Sequence, residues 1–138
     1  MVNYVAIVVC GVAAMIVGSI WHGPLFGKAQ MAVMGAETMS PERKEAMRKN
    51  MWGMYFVQFI LALITAWALN LMILHWASTA SAIKVAIFAW FGFIVTTMGG
   101  GALWSGKSKS LSWKMFFIGA GGSLVTFIVY ALILGAWK

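Results

Sequence analysis

Four apolar runs, each about as long as a bilayer is thick, constrain this chain more than any other feature. A hydrocarbon core about 30 Å thick is crossed by about 20 residues of α-helix. Runs of that length extend from about 3 to 26, 51 to 76, 83 to 104 and 115 to 137. Each ends on aromatic rings that suit the headgroup level: Trp21 with His22, His75 with Trp76, Trp104, and Trp137. Only 9% of the 138 residues are charged and the mean hydropathy is +0.89, whereas a soluble domain carries about 25% charged residues. So few charges cannot cover a water-facing surface. The pattern predicts an all-α membrane protein, a single domain of four transmembrane helices over residues 1–138. The first run has no Lys or Arg in Met1 to Tyr4 and no A-x-A site after it, so it is expected to remain as a membrane helix and not to be cleaved as a signal peptide.

The net charge of +7 lies between the apolar runs and not along one helix face. It therefore reads as membrane-flanking charge, and no nucleic-acid partner is expected. Lys28, Arg43, Lys44, Arg48 and Lys49 fall between the first and second runs, and Lys107, Lys109 and Lys114 between the third and fourth. Only Lys84 and Lys138 fall on the other side. By the positive-inside rule both basic loops are cytoplasmic and both termini outside. Lys84 is read as an external flank that snorkels to the interface. In the first loop Ser40 suits an N-cap, Pro41 the first helical position, and Glu42 and Glu45 the positive end of a helix dipole. A short cytoplasmic helix from about Pro41 into the second span follows.

Several chemistries are disfavoured by what the chain contains. There is no Asp, and the three carboxylate side chains, Glu37, Glu42 and Glu45, share one polar loop, so paired carboxylates inside the membrane are nearly excluded. A single cysteine, Cys10, rules out an intrachain disulfide and a C-x-x-C redox pair. Gly101 to Ser108 satisfies G-x-x-x-x-G-K-[ST], yet that phosphate cradle requires a strand before it and an acidic residue for magnesium. A lipid-spanning helix is expected there, so no nucleotide partner is assigned. His22 and His75 fall at opposite ends of their spans, about 30 Å apart, which is too far to share an ion. No metal, cofactor or catalytic residue is assigned.

An internal repeat is visible. Gly18-Ser19-Ile20-Trp21-His22-Gly23 and Gly101-Ala102-Leu103-Trp104-Ser105-Gly106 both read G-x-x-W-x-G, and Trp52 to Phe56 and Trp113 to Phe117 both read W-x-M-[YF]-F. Trp67 to Leu71 then pairs with Tyr130 to Leu134. This order predicts two parallel helical hairpins about a pseudo-twofold axis along the membrane normal, with coincidence in a Trp- and Gly-rich chain as the alternative. Small residues at four-residue steps mark places for close helix approach: Cys10, Ala14 and Gly18; Ala62 and Ala66; Gly92, Thr96 and Gly100; and the cluster Gly119 to Ser123. The polar residues inside the spans are Gln58, Thr65, Asn70, Thr96, Thr97, Ser123 and Thr126. Interhelical hydrogen bonds are the favoured account of them, and a polar pathway for a small solute the sharper one.

Trp21-His22-Gly23-Pro24-Leu25-Phe26-Gly27-Lys28 resembles the W-[YF]-G-P-L-F-G-K signature of an uncharacterised family of small membrane proteins, domain of unknown function 1761. The similarity extends to the chain's ending, Trp113 to Phe117 leading into Ala131 to Trp137. The chain departs from it at His22, where Tyr or Phe is usual, and at Gln30, where Trp is expected. The resemblance implies four helices and an inner-membrane location, and no activity. Gly23 and Gly27 allow close backbone approach and Pro24 ends or kinks the helix, giving an interfacial turn tucked against the other helices or, alternatively, a re-entrant segment. With Trp104 and Gly106 of the repeated motif, these residues form the candidate interfacial signature.

These readings lead to a non-enzymatic membrane protein working through helix and lipid contacts, as a homo-oligomer or an accessory subunit of a larger membrane assembly. The alternative is a small-solute or ion transporter or channel with a pathway on the pseudo-twofold axis, near Gln58, Thr65, Thr96 and Ser123.

Overall fold

Polar side chains start three of the four long helices by accepting first-turn N–H groups that have no partner inside the helix. Asn3 accepts from Ala6 at 3.1 Å, Ser81 from Lys84, and Ser108 from Leu111. The computed structural model describes residues 1–35, 38–78 and 80–137, so Glu37 and Lys138 lie outside the described residues. The order is α1 (Tyr4–Ile20), a π-helical turn (Trp21–Leu25), α2 (Gly27–Met34), α3 (Pro41–Lys49), α4 (Met51–His75), α5 (Ala82–Ala89), a second π-helical segment (Trp90–Val95), α6 (Thr96–Leu103) and α7 (Lys109–Ala136). Four helices, Tyr4–Leu25, Met51–His75, Ala82–Leu103 and Lys109–Ala136, are long and apolar enough to cross a membrane. No strand occurs among the described residues.

Among the described residues, the connection between the first two spans holds one more helix than its sequence implies. Ser40 accepts from the Arg43 N–H and begins α3, which ends at Lys49, with Asn50 alone between it and α4. The additional helix, α2, packs on α7. It ends at Gly35, whose φ of +70° closes the helix in the left-handed region that suits glycine.

Both π segments are also unanticipated. Pro24 has no N–H to donate, and the Phe26 N–H reaches back five residues to the Trp21 carbonyl at 3.0 Å, so one extra residue is accommodated in the turn. The second segment contains no proline, and Gly92 lies within it.

Packing places α1 against α4 and α7, α5 against α7 and α4, and α6 against α7. The core lies toward the end that carries both chain termini. Ala6, Cys10, Ala66, Ala86, Ala89 and Ala131 keep the helices close, while Ile73, Tyr130 and Leu134 fill the space between them. The Tyr130 hydroxyl donates to the Ala62 carbonyl at 3.3 Å and joins α7 to α4. Asn3 Nδ2 donates to the Trp137 carbonyl at 3.2 Å, which holds the two ends of the described chain together. Phe56, Phe88, Phe91 and Phe93 point outward, each more than half exposed. In water that display would be unfavourable, whereas in lipid it is the solvated state.

Candidate functional site

Two tryptophans from different spans converge on one glycine-rich stretch of α7. The Trp21 indole N–H donates to the Ile118 carbonyl at 2.8 Å. The Trp90 indole N–H is shared between the Ala120 carbonyl at 3.0 Å and the Ser123 hydroxyl at 3.1 Å. Each tryptophan is the first residue of a π segment. Gly121 and Gly122 make the approach possible, because a Cβ on them would lie 2.9 and 2.8 Å from the Trp21 ring. The cluster from Gly119 to Ser123 thus does what its small residues predict, admitting a neighbour, although the neighbours are indole rings as well as a helix. Trp90 was absent from the sequence expectations. A Trp in the middle of an apolar run, whose N–H must find an acceptor away from water, is the signal that identifies it.

The interfacial signature forms one folded unit. Trp21 packs on Phe26 with ring centroids 4.7 Å apart. The His22 ring nitrogen Nδ1 is hydrogen-bonded to Gln30 Oε1, which ties the π turn to α2. A Cβ on Gly27 would lie 2.9 Å from the His22 carbonyl oxygen, so the turn needs glycine there. Gly23 and Pro24 are inside the π turn, and Lys28 lies in the first turn of α2. Trp104 and Gly106 have different surroundings. Trp104 is 91% exposed, and Gly106 turns the chain with φ +70° before Ser108 caps α7. The two tryptophans of the repeated G-x-x-W-x-G motif therefore occupy unlike environments.

The polar residues of the spans are not brought together. Gln58, Thr96 and Thr97 face outward. Thr65 donates to the Leu61 carbonyl at 2.9 Å, Thr96 to Gly92 at 2.7 Å and Thr126 to Gly122 at 3.0 Å, each within its own span. Asn70 is buried, and its Oδ1 has no hydrogen-bond partner among the described residues. Ser123 is held by Trp90 and the Ala120 carbonyl. No hydrogen bond among the described residues joins any two of the seven.

Small residues take two different roles. Ala62 and Ala66 are buried where helices meet. Gly92 and Gly100, in contrast, would place a Cβ with nothing within 4 Å, and Thr96 between them is exposed. This stripe leaves an open outward face along the second π segment and α6, where Phe93 and Trp104 are also exposed. Gly18 is likewise open.

The segment Gly101 to Ser108 begins inside α6, and its last serine accepts the Leu111 N–H as the α7 cap. Among the described residues no group of three or more His, Cys, Asp or Glu could hold a metal ion. His75 packs edge-on against Trp76 at 5.3 Å.

An all-helical chain with four helices of membrane-spanning length and apolarity defines the class. The chain belongs to the family described as "Protein of unknown function (DUF1761)", which matches residues 5–135. No curated protein and no solved structure matches it.

Proposed function

We propose that this chain is a non-enzymatic membrane protein that works by association, seating another transmembrane helix on the outward face of the third span, along the second π segment and α6. That helix belongs to a second copy or to a subunit of a larger membrane assembly. The observation that carries the reading is the unfilled stripe Gly92, Thr96 and Gly100. Apolar helices gain little from meeting in lipid unless small residues let their backbones approach, and this stripe supplies that opening with no neighbour among the described residues within 4 Å of a Cβ at Gly92 or Gly100. Cross-linking in native membranes, with native mass spectrometry after mild solubilisation, tests it. Gly92→Leu and Gly100→Leu are expected to abolish the associated species while the fold is retained. A wild-type protein that stays monomeric and free of any partner in both measurements overturns the reading.

We infer in addition that the basic ends of the spans are cytoplasmic, in the inner membrane, with both termini outside. The charge asymmetry supports this. On a Cys10→Ser background, single cysteines replacing Lys44 and Lys109 should resist an impermeant thiol reagent in intact cells, and one replacing Ser78 should react. The reverse pattern removes the orientation.

A further inference from the structure

An open cleft of about 660 Å³ lies where α3 meets α4, lined by Lys49, Asn50, Gly53, Val57, Gln58 and Leu61. Its polar groups are graded along the helix. Lys49 and Asn50 stand at the mouth, Gln58 lies two turns further into a span of 25 residues, and Val57 and Leu61 line the apolar part. Charged head, polar neck and apolar tail follow in that order in a phospholipid.

Three observations favour such an occupant. The Gln58 side chain faces outward from a membrane-spanning helix and makes no hydrogen bond with any described residue. An amide left without a partner in hydrocarbon is costly, so this position favours a ligand carrying an acceptor. Second, the one ion pair among the described residues joins Arg48 to Glu45 at 3.6 Å, so the Lys49 ammonium, one turn beyond Glu45, has no carboxylate within ion-pair distance among the described residues. Third, a Cβ on Gly53 would meet nothing within 4 Å, so the floor of the cleft is open. The cleft also begins at the end of the first basic loop, which carries Lys28, Arg43, Lys44, Arg48 and Lys49 and so attracts an anionic leaflet.

We propose that this cleft binds one anionic phospholipid, with its phosphate on the Lys49 ammonium, an ester carbonyl accepting from the Gln58 amide, and an acyl chain along Val57 and Leu61. The flexible stem of Lys49 lets its charge reach the headgroup level.

The full chain in mild detergent, titrated with phosphatidylglycerol and separately with phosphatidylcholine under native mass spectrometry, tests the assignment. Wild type should retain one phosphatidylglycerol about fivefold more tightly than phosphatidylcholine, the preference one lysine provides near an anionic headgroup. Lys49→Gln should bring the two lipids to parity, and Gln58→Leu should weaken both. Gly53→Leu should fill the cleft and block retention at an unchanged melting temperature. Gly100→Leu, on the other side of the proposed association, should bind lipid as wild type does, which separates this site from the α6 face. Equal affinity of wild type for the two lipids overturns the proposal. So does wild-type retention by both Gln58→Leu and Gly53→Leu, or a finding that these variants change only the ratio of monomer to dimer, since a second copy would then fill the cleft.

Discussion

The Trp21 indole N–H and the Ile118 carbonyl oxygen, 97 positions apart in the chain, meet at 2.8 Å and join the end of the first span to the fourth. The ring lies over Gly121 and Gly122, so the contact combines a partly buried hydrogen bond with close packing on bare backbone. Trp21→Phe removes the donor while keeping a ring, and should lower stability by about 1 kcal/mol, the scale of interhelical hydrogen bonds in membranes. Gly122→Leu should cost more, because its first carbon already meets the ring. Unfolding of the purified protein in mixed micelles under increasing denaturing detergent measures both; a Trp21→Phe curve that overlays the wild type rejects the latch.

Trp90 has a reserve that Trp21 lacks, since its N–H is shared between the Ala120 carbonyl and the Ser123 hydroxyl. Ser123→Ala leaves one acceptor in place and should cost about 0.5 kcal/mol or less, whereas Trp90→Phe removes the only donor and should cost about 1 kcal/mol. A double-mutant cycle in the same assay should give a coupling energy smaller than the Trp90→Phe loss. A coupling equal to the full loss would mean that the Ala120 carbonyl contributes nothing.

The four long helices were legible in the sequence because hydropathy over about 20 residues is set by the solvent, and local details do not alter it. Ser40 and Pro41 announced α3 through capping chemistry that is local to the chain. The π segments were not legible, because inserting one residue into a helical turn leaves the apolar count unchanged; Pro24 signalled a disturbance without specifying its form. Short α2 was hidden by its weak apolar pattern, its place being set by contact with α7. At the site, small residues were visible as stripes, but the sequence could not tell which stripe is covered. Ala62 and Ala66 are covered and Gly92 and Gly100 are open, a distinction made by how the helices are rotated about their axes.

Two glycines near each other, Gly101 and Gly106, should respond to alanine with opposite sign. Gly106 has φ +70°, where a Cβ is strained, so Gly106→Ala should destabilise by about 1 kcal/mol. Gly101 is inside α6 with nothing within 4 Å of a Cβ, so Gly101→Ala should stabilise the helix by up to about 1 kcal/mol. Melting temperatures of the two variants, taken side by side in one detergent, decide the matter: a shared sign would show that backbone conformation does not govern the outcome at one of the two positions.

Asn70 offers the last contrast. It is 4% exposed, and its Oδ1 has no partner among the described residues. A buried acceptor left unpaired carries a desolvation penalty of about 1–3 kcal/mol, while an apolar side chain of similar shape carries none. Asn70→Leu should therefore leave stability unchanged or raise it by about 1 kcal/mol. Tyr130→Phe, which removes the donor to the Ala62 carbonyl, should lower it by about 0.6 kcal/mol. The two residues lie on facing helices of the same core, so one unfolding assay reads both. Loss of stability in Asn70→Leu comparable with that of Tyr130→Phe would show that the Asn70 amide is engaged after all, and that its polarity contributes to holding α4 in place.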